Sequence, residues 1–244
     1  MENGWLDRIS INRNQLKYIA IVAMLIDHIA WAFVPTRSVL GQLLHFVGRL
    51  TGPIMAYMLA EGYKHTRSVK KYGIRLFIFA LISWIPYSLF EKGKWPAISF
   101  GVIWTLFLGL IAIYIWDRSN DADWKKITVV VILCIISCFG GDWMIFDIIW
   151  PLFLFIYWDD ENKKWMSYII IMTVEVVLAQ IMAIASHCYY KQLFQFGAFL
   201  DLPLLMKFYN GKPGSKKAFH KWFFYIFYPL HLLVLALIKI YCFN

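Results

Sequence analysis

The sequence predicts an all-α, polytopic transmembrane helix bundle of about nine spans, with the N-terminus cytoplasmic and the C-terminus outside. Three observations predict it. Hydrophobic residues make up 61% of the 244 and charged residues only 16%, where soluble domains carry roughly 45–50% and about 25%. That composition leaves too little polar surface to face water. The apolar residues gather in long runs without a repeating ten-residue alternation, which favours helices over barrel strands. The basic residues fall between the runs, mostly on one side of the implied membrane.

A crossing takes about 20 apolar residues, fewer where the segment is buried in protein. Candidate runs lie at 16–34, 39–60, 72–90, 98–116, 127–140, 144–158, 166–186, 192–206 and 222–241. The first 15 residues are polar, and the first run is long with no small-residue cleavage site, so it stays as an anchor. The fifth and sixth runs are short and joined by Gly140-Gly141-Asp142-Trp143, which also suits a re-entrant pair. A single domain, 1–244, is expected.

Lys and Arg orient the runs. One side receives Arg8, Arg13, Lys17, Lys64, Arg67, Lys70, Lys71, Arg75, Arg118, Lys125, Lys126, Lys163, Lys164, Lys207, Lys212, Lys216, Lys217 and Lys221. The other receives Arg37, Lys92, Lys94, Lys191 and Lys239, and Arg49 lies within a run. Eighteen against five places the N-terminus inside and implies an odd number of crossings. The net charge of +9 is therefore orientation charge on a membrane surface, with no nucleic-acid partner expected.

Ionisable side chains within a span cost at least about 2.5–3.5 kcal/mol on insertion scales and usually face the bundle interior. The run AIVAMLIDHIAW carries Asp27 and His28. The next run carries His45 and Arg49, four apart on one helix face, with Gly41, Gly48, Gly52 and Ala56 on or near it. Small residues let a neighbouring helix approach closely, so the first two spans are expected to pack with these four polar residues between them. Asp27 and His28 point about 100° apart and do not face each other. Asp27 is expected to pair with Arg49, which leaves His28 as the titratable group. The bland reading is a buried ion pair that only joins two helices.

The stretch PIMAYMLAEGYKHTR ends the second run at the inner face. Glu61, His65, Arg67, Lys70, Lys71 and Arg75 cluster there, either as orientation charge against anionic lipid or as an anion site. Tyr225, Tyr228 and His231 lie along one side of the last run, where Pro229 should kink the helix. Asp142 follows two glycines in a turn. Glu175 and Asp201 are in-span acids without an evident partner. Neither a nucleophile elbow, a phosphate-binding loop nor a zinc motif is present, and no metal is expected. The four cysteines lack metal spacing. Cys134 and Cys138 read as helix packing, and a Cys188–Cys242 disulfide is an option on the outer face.

Taken together, IDHIA, PIMAYMLAEGYKHTR, KKYGIRLFIFALISWIP, the GGDW turn and KWFFYIFYPLHLL, in this order from Leu25 to Leu233, resemble the TraX family. That family is named for the acetylase that blocks the N-terminus of conjugative pilin. Trp84, Ser88 and Gly101 depart from its usual pattern. The resemblance implies a multi-pass protein of the bacterial cytoplasmic membrane. It also implies transfer of an acetyl group from acetyl-CoA to an amine or hydroxyl of an extracytoplasmic protein, peptide or glycan.

On that resemblance His28 is the catalytic base and Asp27 its partner. Arg67, Lys70, Lys71, Arg75 and His65 hold the donor's phosphates. His45, Arg49, Glu61, Asp142, Tyr228 and His231 line the site, with Arg49 or His45 steadying the oxyanion. An acetyl-histidine intermediate is the other route. Two other classes fit the same residues. A proton-coupled transporter would use Asp27, His28 and Arg49 as a relay, and an envelope assembly partner would need no chemistry there.

Overall fold

The computed structural model describes residues 10–188 and 192–243, without the side chains of Lys221 and Phe243. Arg8 and Lys191, and the Lys221 side chain, lie outside the described residues. The described chain is helical, and an isolated bridge between Ile11 and Tyr209 is its one β-type pairing.

The helix starts follow from capping. Asn12 caps α1 (Arg13–Phe33) by accepting from the Gln15 amide, while the Gln15 side chain accepts from the Asn12 amide. This reciprocal box satisfies two amide donors that a helix start leaves orphaned. Ser38 caps α2 (Val39–Gly48) through the Gly41 amide, and Ser68 caps α4 (Val69–Lys92) through the Lys71 amide. Between them, α3 (Thr51–His65) follows α2 after a break at Arg49 and Leu50. Then come α5 (Val102–Arg118), α6 (Asp123–Cys138), α7 (Phe146–Ile156) and α8 (Glu161–Ala185). A 3₁₀ stretch (Leu193–Leu200), one α turn (Asp201–Pro203) and a π turn (Leu204–Phe208) lead to the C-terminal helix (Ala218–Phe243).

Five helical stretches are long and apolar enough to cross a membrane: Arg13–Phe33, Val39–His65, Val69–Lys92, Glu161–Ala185 and Ala218–Cys242. Their outward faces carry bare aliphatics, such as Ile78 and Ile82 on α4 and Val174 and Ile181 on α8. Such faces are costly in water and suited to lipid. The chain is thus built as a membrane protein.

Nine spans were expected, and the remaining four runs take shorter forms. The run at 98–116 becomes the 17-residue α5, because Gly101 with φ +74° starts the helix late. The runs at 127–140 and 144–158 become α6 and α7, of 16 and 11 residues. Gly140, at φ +82°, breaks the chain between them. The run at 192–206 is the irregular 3₁₀–α–π stretch rather than one helix. Pro203 there lacks the amide a regular helix would use. The C-terminal helix is continuous through Pro229.

The chain divides into two compact units, Met1–Met55 with Met182–Phe227, and Ala56–Ile181 with Tyr228–Asn244. In the first, α1 packs on α2, and α2 packs on the 3₁₀ stretch. A Cβ placed on Gly197 would lie 1.9 Å from the Phe46 carbonyl oxygen, so only glycine permits this backbone-to-backbone approach. In the second unit, α5 is the hub, packed by α4, α6 and α7. Its centre is Trp150, Ile113, Ile148, Leu154, Tyr168 and Met172, all fully buried. Cys134, Cys138, Cys188 and Cys242 are free thiols, and Cys188 Sγ accepts from Arg37 Nη2 at 3.1 Å instead of pairing.

Candidate active site

Three donors converge on one buried carboxylate in the first unit. Arg49 Nη2 donates to Asp27 Oδ2 at 2.7 Å, as the sequence led one to expect of this pair. Trp31 Nε1, four residues along the same helix, donates to Oδ2 at 3.2 Å. His45 Nδ1 stands 2.7 Å from Oδ1. The arrangement depends on Gly48, since a Cβ there would fall 2.4 Å from the Asp27 Cβ. Of the small residues read from sequence, Gly48 is the one that lets α2 approach α1, while Gly41 packs against the Pro35 carbonyl in the connection between the two helices.

Asp27 and His28 are both 7% exposed, and His45 is fully buried. His28 follows Asp27 by one position and so turns away from it around the helix. The adjacent pair is therefore no relay. The imidazole aligned by Asp27 comes from the other helix. With a guanidinium on its second oxygen, Asp27 is a carboxylate and can only accept, so Nδ1 of His45 carries the hydrogen. The other ring nitrogen of His45, Nε2, is buried without a hydrogen-bond partner.

The irregular stretch closes around the same residues. The Phe194 ring centre lies 5.1 Å from that of His45, and the Arg49 guanidinium sits 5.2 Å over the Phe194 ring. The Trp31 and His45 ring centres are 4.3 Å apart. Arg49 Nη1 reaches Gln195 Oε1 at 3.5 Å, and the Phe194 amide donates to Gln42 Oε1 at 3.1 Å. Non-helical backbone at membrane depth is tolerated where it is buried in protein or lines a cavity. Trp31, Gln42, Phe194 and Gln195 were not singled out from sequence. Trp31 was findable, being four residues after Asp27. The others come from or contact a segment about 150 residues away, which no local pattern announces.

The remaining expected residues fall in the second unit. Glu61 is 2% exposed, and Thr66 to Ser68 turn the chain from α3 into α4. His65, Arg67, Lys70 and Lys71 are exposed around that turn, and half-buried Arg75 lies 5.6 Å over the Tyr72 ring. The structure thus collects these cations on one short stretch, with solvent access.

A separate group forms around the GGDW turn. Gly140 accepts from the Phe100 amide at 2.6 Å, which holds the turn against the start of α5. Exposed Asp142 lies beside Tyr87 and accepts its hydroxyl. The Tyr228 hydroxyl accepts the Val102 amide at 3.2 Å, and its ring centre lies 5.7 Å from that of buried His231. Nearby, Thr105 bonds Asp147, a fully buried acid absent from the sequence expectation because it sits in the first turn of an otherwise apolar helix. Among the described residues no three His, Cys, Asp or Glu side chains form a metal-ligand set.

Comparison with known proteins places this geometry in a family. The chain is 33% identical over 237 residues to a probable fimbrial assembly protein FimC, serogroup H1, of Dichelobacter nodosus, covering 93% of this chain and 95% of that one. No solved structure matches. The family model described as TraX protein matches residues 12–239, which takes in every residue of both groups above, and the chain belongs to the TraX family.

Proposed function

We propose that this protein is a membrane-embedded acetyltransferase, which moves an acetyl group from acetyl-CoA to an amine or hydroxyl of an extracytoplasmic acceptor. The observation that carries the reading is the buried carboxylate–imidazole–guanidinium cluster of Asp27, His45 and Arg49, with His28 next to it in the chain. A plain helix staple needs one ion pair. This cluster adds the His45 imidazole, with that of His28 one position along α1 from Asp27, and imidazoles are the side chains best suited to taking a proton near neutral pH.

In this reading an imidazole of the cluster takes the acceptor's proton while its nitrogen or oxygen attacks the thioester carbonyl carbon. His28 is the base expected from the family resemblance. The Arg49 guanidinium is the charge available to a developing oxyanion. Coenzyme A carries several phosphate charges, and His65, Arg67, Lys70, Lys71 and Arg75 are the cations that suit them. Asp142, Tyr228 and His231, with Glu61, are lining residues. The eighteen-to-five split of basic residues favours a cytoplasmic N-terminus, hence donor entry from the side where acetyl-CoA is made. The relative is named for fimbrial assembly, so the α-amine of a pilin-type subunit is the acceptor to try first, ahead of an envelope glycan.

The test is acetyl-CoA binding and thiol release by purified protein in detergent, offered a pilin N-terminal peptide with a free α-amine. Acetylation of that peptide with matching thiol release supports the reading, and its loss on His28→Ala with donor binding retained would make His28 the base. A folded wild type that neither binds nor consumes acetyl-CoA overturns it.

One observation favours a second reading, a proton-coupled transporter. Asp201 is fully buried on the irregular stretch, and neither carboxyl oxygen has a partner. Buried acids of that kind belong to proton paths. Substrate flux in vesicles that follows an imposed pH gradient, with no thioester consumed, would select it.

A further inference from the structure

We infer that the proton acceptor is His45 Nε2, held in its working tautomer by Asp27. This rests on the acetyl-transfer reading and relocates the base within it.

Charge balance comes first. Asp27 contributes one negative charge, and Arg49 at 2.7 Å contributes one positive charge. The pair is neutral before His45 is considered. A buried imidazolium would add an uncompensated charge and leave a buried N–H without an acceptor, which costs more than an unused lone pair. His45 is therefore the neutral ring, with hydrogen on Nδ1 and the lone pair on Nε2.

Orientation comes next. The Nδ1 bond to Asp27 at 2.7 Å fixes the ring on one edge. Packing against Trp31 and Phe194 restrains it further, with ring centres 4.3 and 5.1 Å away. The one ring nitrogen left over is Nε2, buried and without a partner. A carboxylate that holds Nδ1–H and leaves Nε2 for the reacting proton is the orienting arrangement of nucleophilic and acyl-transfer sites in general. His28, on the neighbouring position of α1, projects about 100° around the helix from Asp27.

The step balances as follows. The acceptor's N or O bonds to the thioester carbonyl carbon as its proton passes to His45 Nε2. The carbon–sulfur bond then breaks, and the departing thiolate takes that proton to become free coenzyme A thiol. Asp27 remains ionised and paired with Arg49 throughout, and the charge that offsets the transient imidazolium is the oxyanion that forms with it on the attacked carbonyl.

Two substitutions separate base from staple. His45→Asn retains an N–H that can reach Asp27, as Nδ1 does, and removes Nε2. His28→Asn removes the other imidazole. We expect His45→Asn to bind acetyl-CoA as wild type does while losing roughly 10²–10⁴-fold in turnover, the usual contribution of a general base. His28→Asn should lose much less. The tautomer has its own readout. In protein labelled with ¹⁵N-histidine, the signals absent from His45→Asn should show a protonated Nδ1 and a bare Nε2.

Turnover by His45→Asn within about threefold of wild type, or a protonated Nε2, overturns the inference. If His28→Asn is then the inactive variant, acetyl transfer stands with His28 as base. A wild type without thioester loss overturns the reaction itself, whatever the tautomer.

Discussion

Gly48 lies so close to Asp27 that a Cβ on the glycine would stand 2.4 Å from the aspartate Cβ and 2.5 Å from Oδ1. Real Cβ atoms do not approach so near, and the nearest obstacle is the root of a side chain, which cannot swing away. Gly48→Ala must therefore push α1 and α2 apart or displace the Asp27 carboxylate. Overpacking of this kind costs about 1–3 kcal/mol. Thermal unfolding in detergent should show a lower midpoint, and acetyl transfer should fall in parallel. An alanine variant as stable and active as wild type would show that the cluster tolerates a looser helix pair.

Arg49 gives the second prediction. Its two terminal nitrogens divide their reach, one to Asp27 and one to Gln195. Lysine is a point charge and cannot bridge both, so Arg49→Lys should keep the fold and lose the tie to the irregular stretch. Arg49→Ala leaves Asp27 without its counter-charge, and stranding one partner of a buried pair costs about 3–5 kcal/mol. The expected order of unfolding midpoints is wild type, then lysine, then alanine. Equal loss in both would place the energy in the guanidinium's fork rather than its charge.

These two residues also show what the sequence could disclose. A charge in an apolar run must find an opposite charge, and helix spacing put Arg49 and His45 on one face. That made the Asp27–Arg49 pair and the glycine-lined approach legible. The choice between His28 and His45 was not legible, because periodicity reports which face a residue occupies and not which partner waits there. The irregular stretch was hidden for a related reason. LFQFGAFLDLPLLMKF is apolar enough to read as a span, yet Gly197 fits against the Phe46 carbonyl and Pro203 withholds an amide. Hydropathy sees neither. Phe194 and Gln195 entered the site only through that backbone.

Gly101 and Tyr228 make a third prediction, in the second unit. Gly101 combines φ +74° with a Cβ position 2.5 Å from the Tyr228 hydroxyl. The hydroxyl in turn accepts the Val102 amide, one of the orphan donors that Gly101 cannot cap. Tyr228→Phe removes that acceptor and should cost about 1–3 kcal/mol, the penalty for stranding a buried donor. Gly101→Ala should cost more, since it meets both strain and collision. Deuterium exchange at the Val102 amide would accelerate in Tyr228→Phe. Unchanged exchange would mean that another group caps α5.

The proposed donor site supplies the last prediction. Lys70 and Lys71 are exposed at the start of α4, form no ion pair among the described residues, and stand outside the Asp27 cluster. If they attract the phosphates of acetyl-CoA, a Lys70→Glu and Lys71→Glu double variant should raise the KM for the donor roughly 3- to 30-fold and leave kcat alone. Screening offers the control. Between low salt and about 0.5 M salt the wild-type KM should rise, and the gap to the variant should narrow, because exposed charges act within a Debye length of only a few ångströms there. Anionic lipid is the competing explanation for these lysines. It predicts a different pattern: weaker association with vesicles rich in anionic lipid, with the donor KM in neutral detergent untouched. Measuring KM in detergent and retention in vesicles on the same double variant assigns the cluster to the donor or to the bilayer.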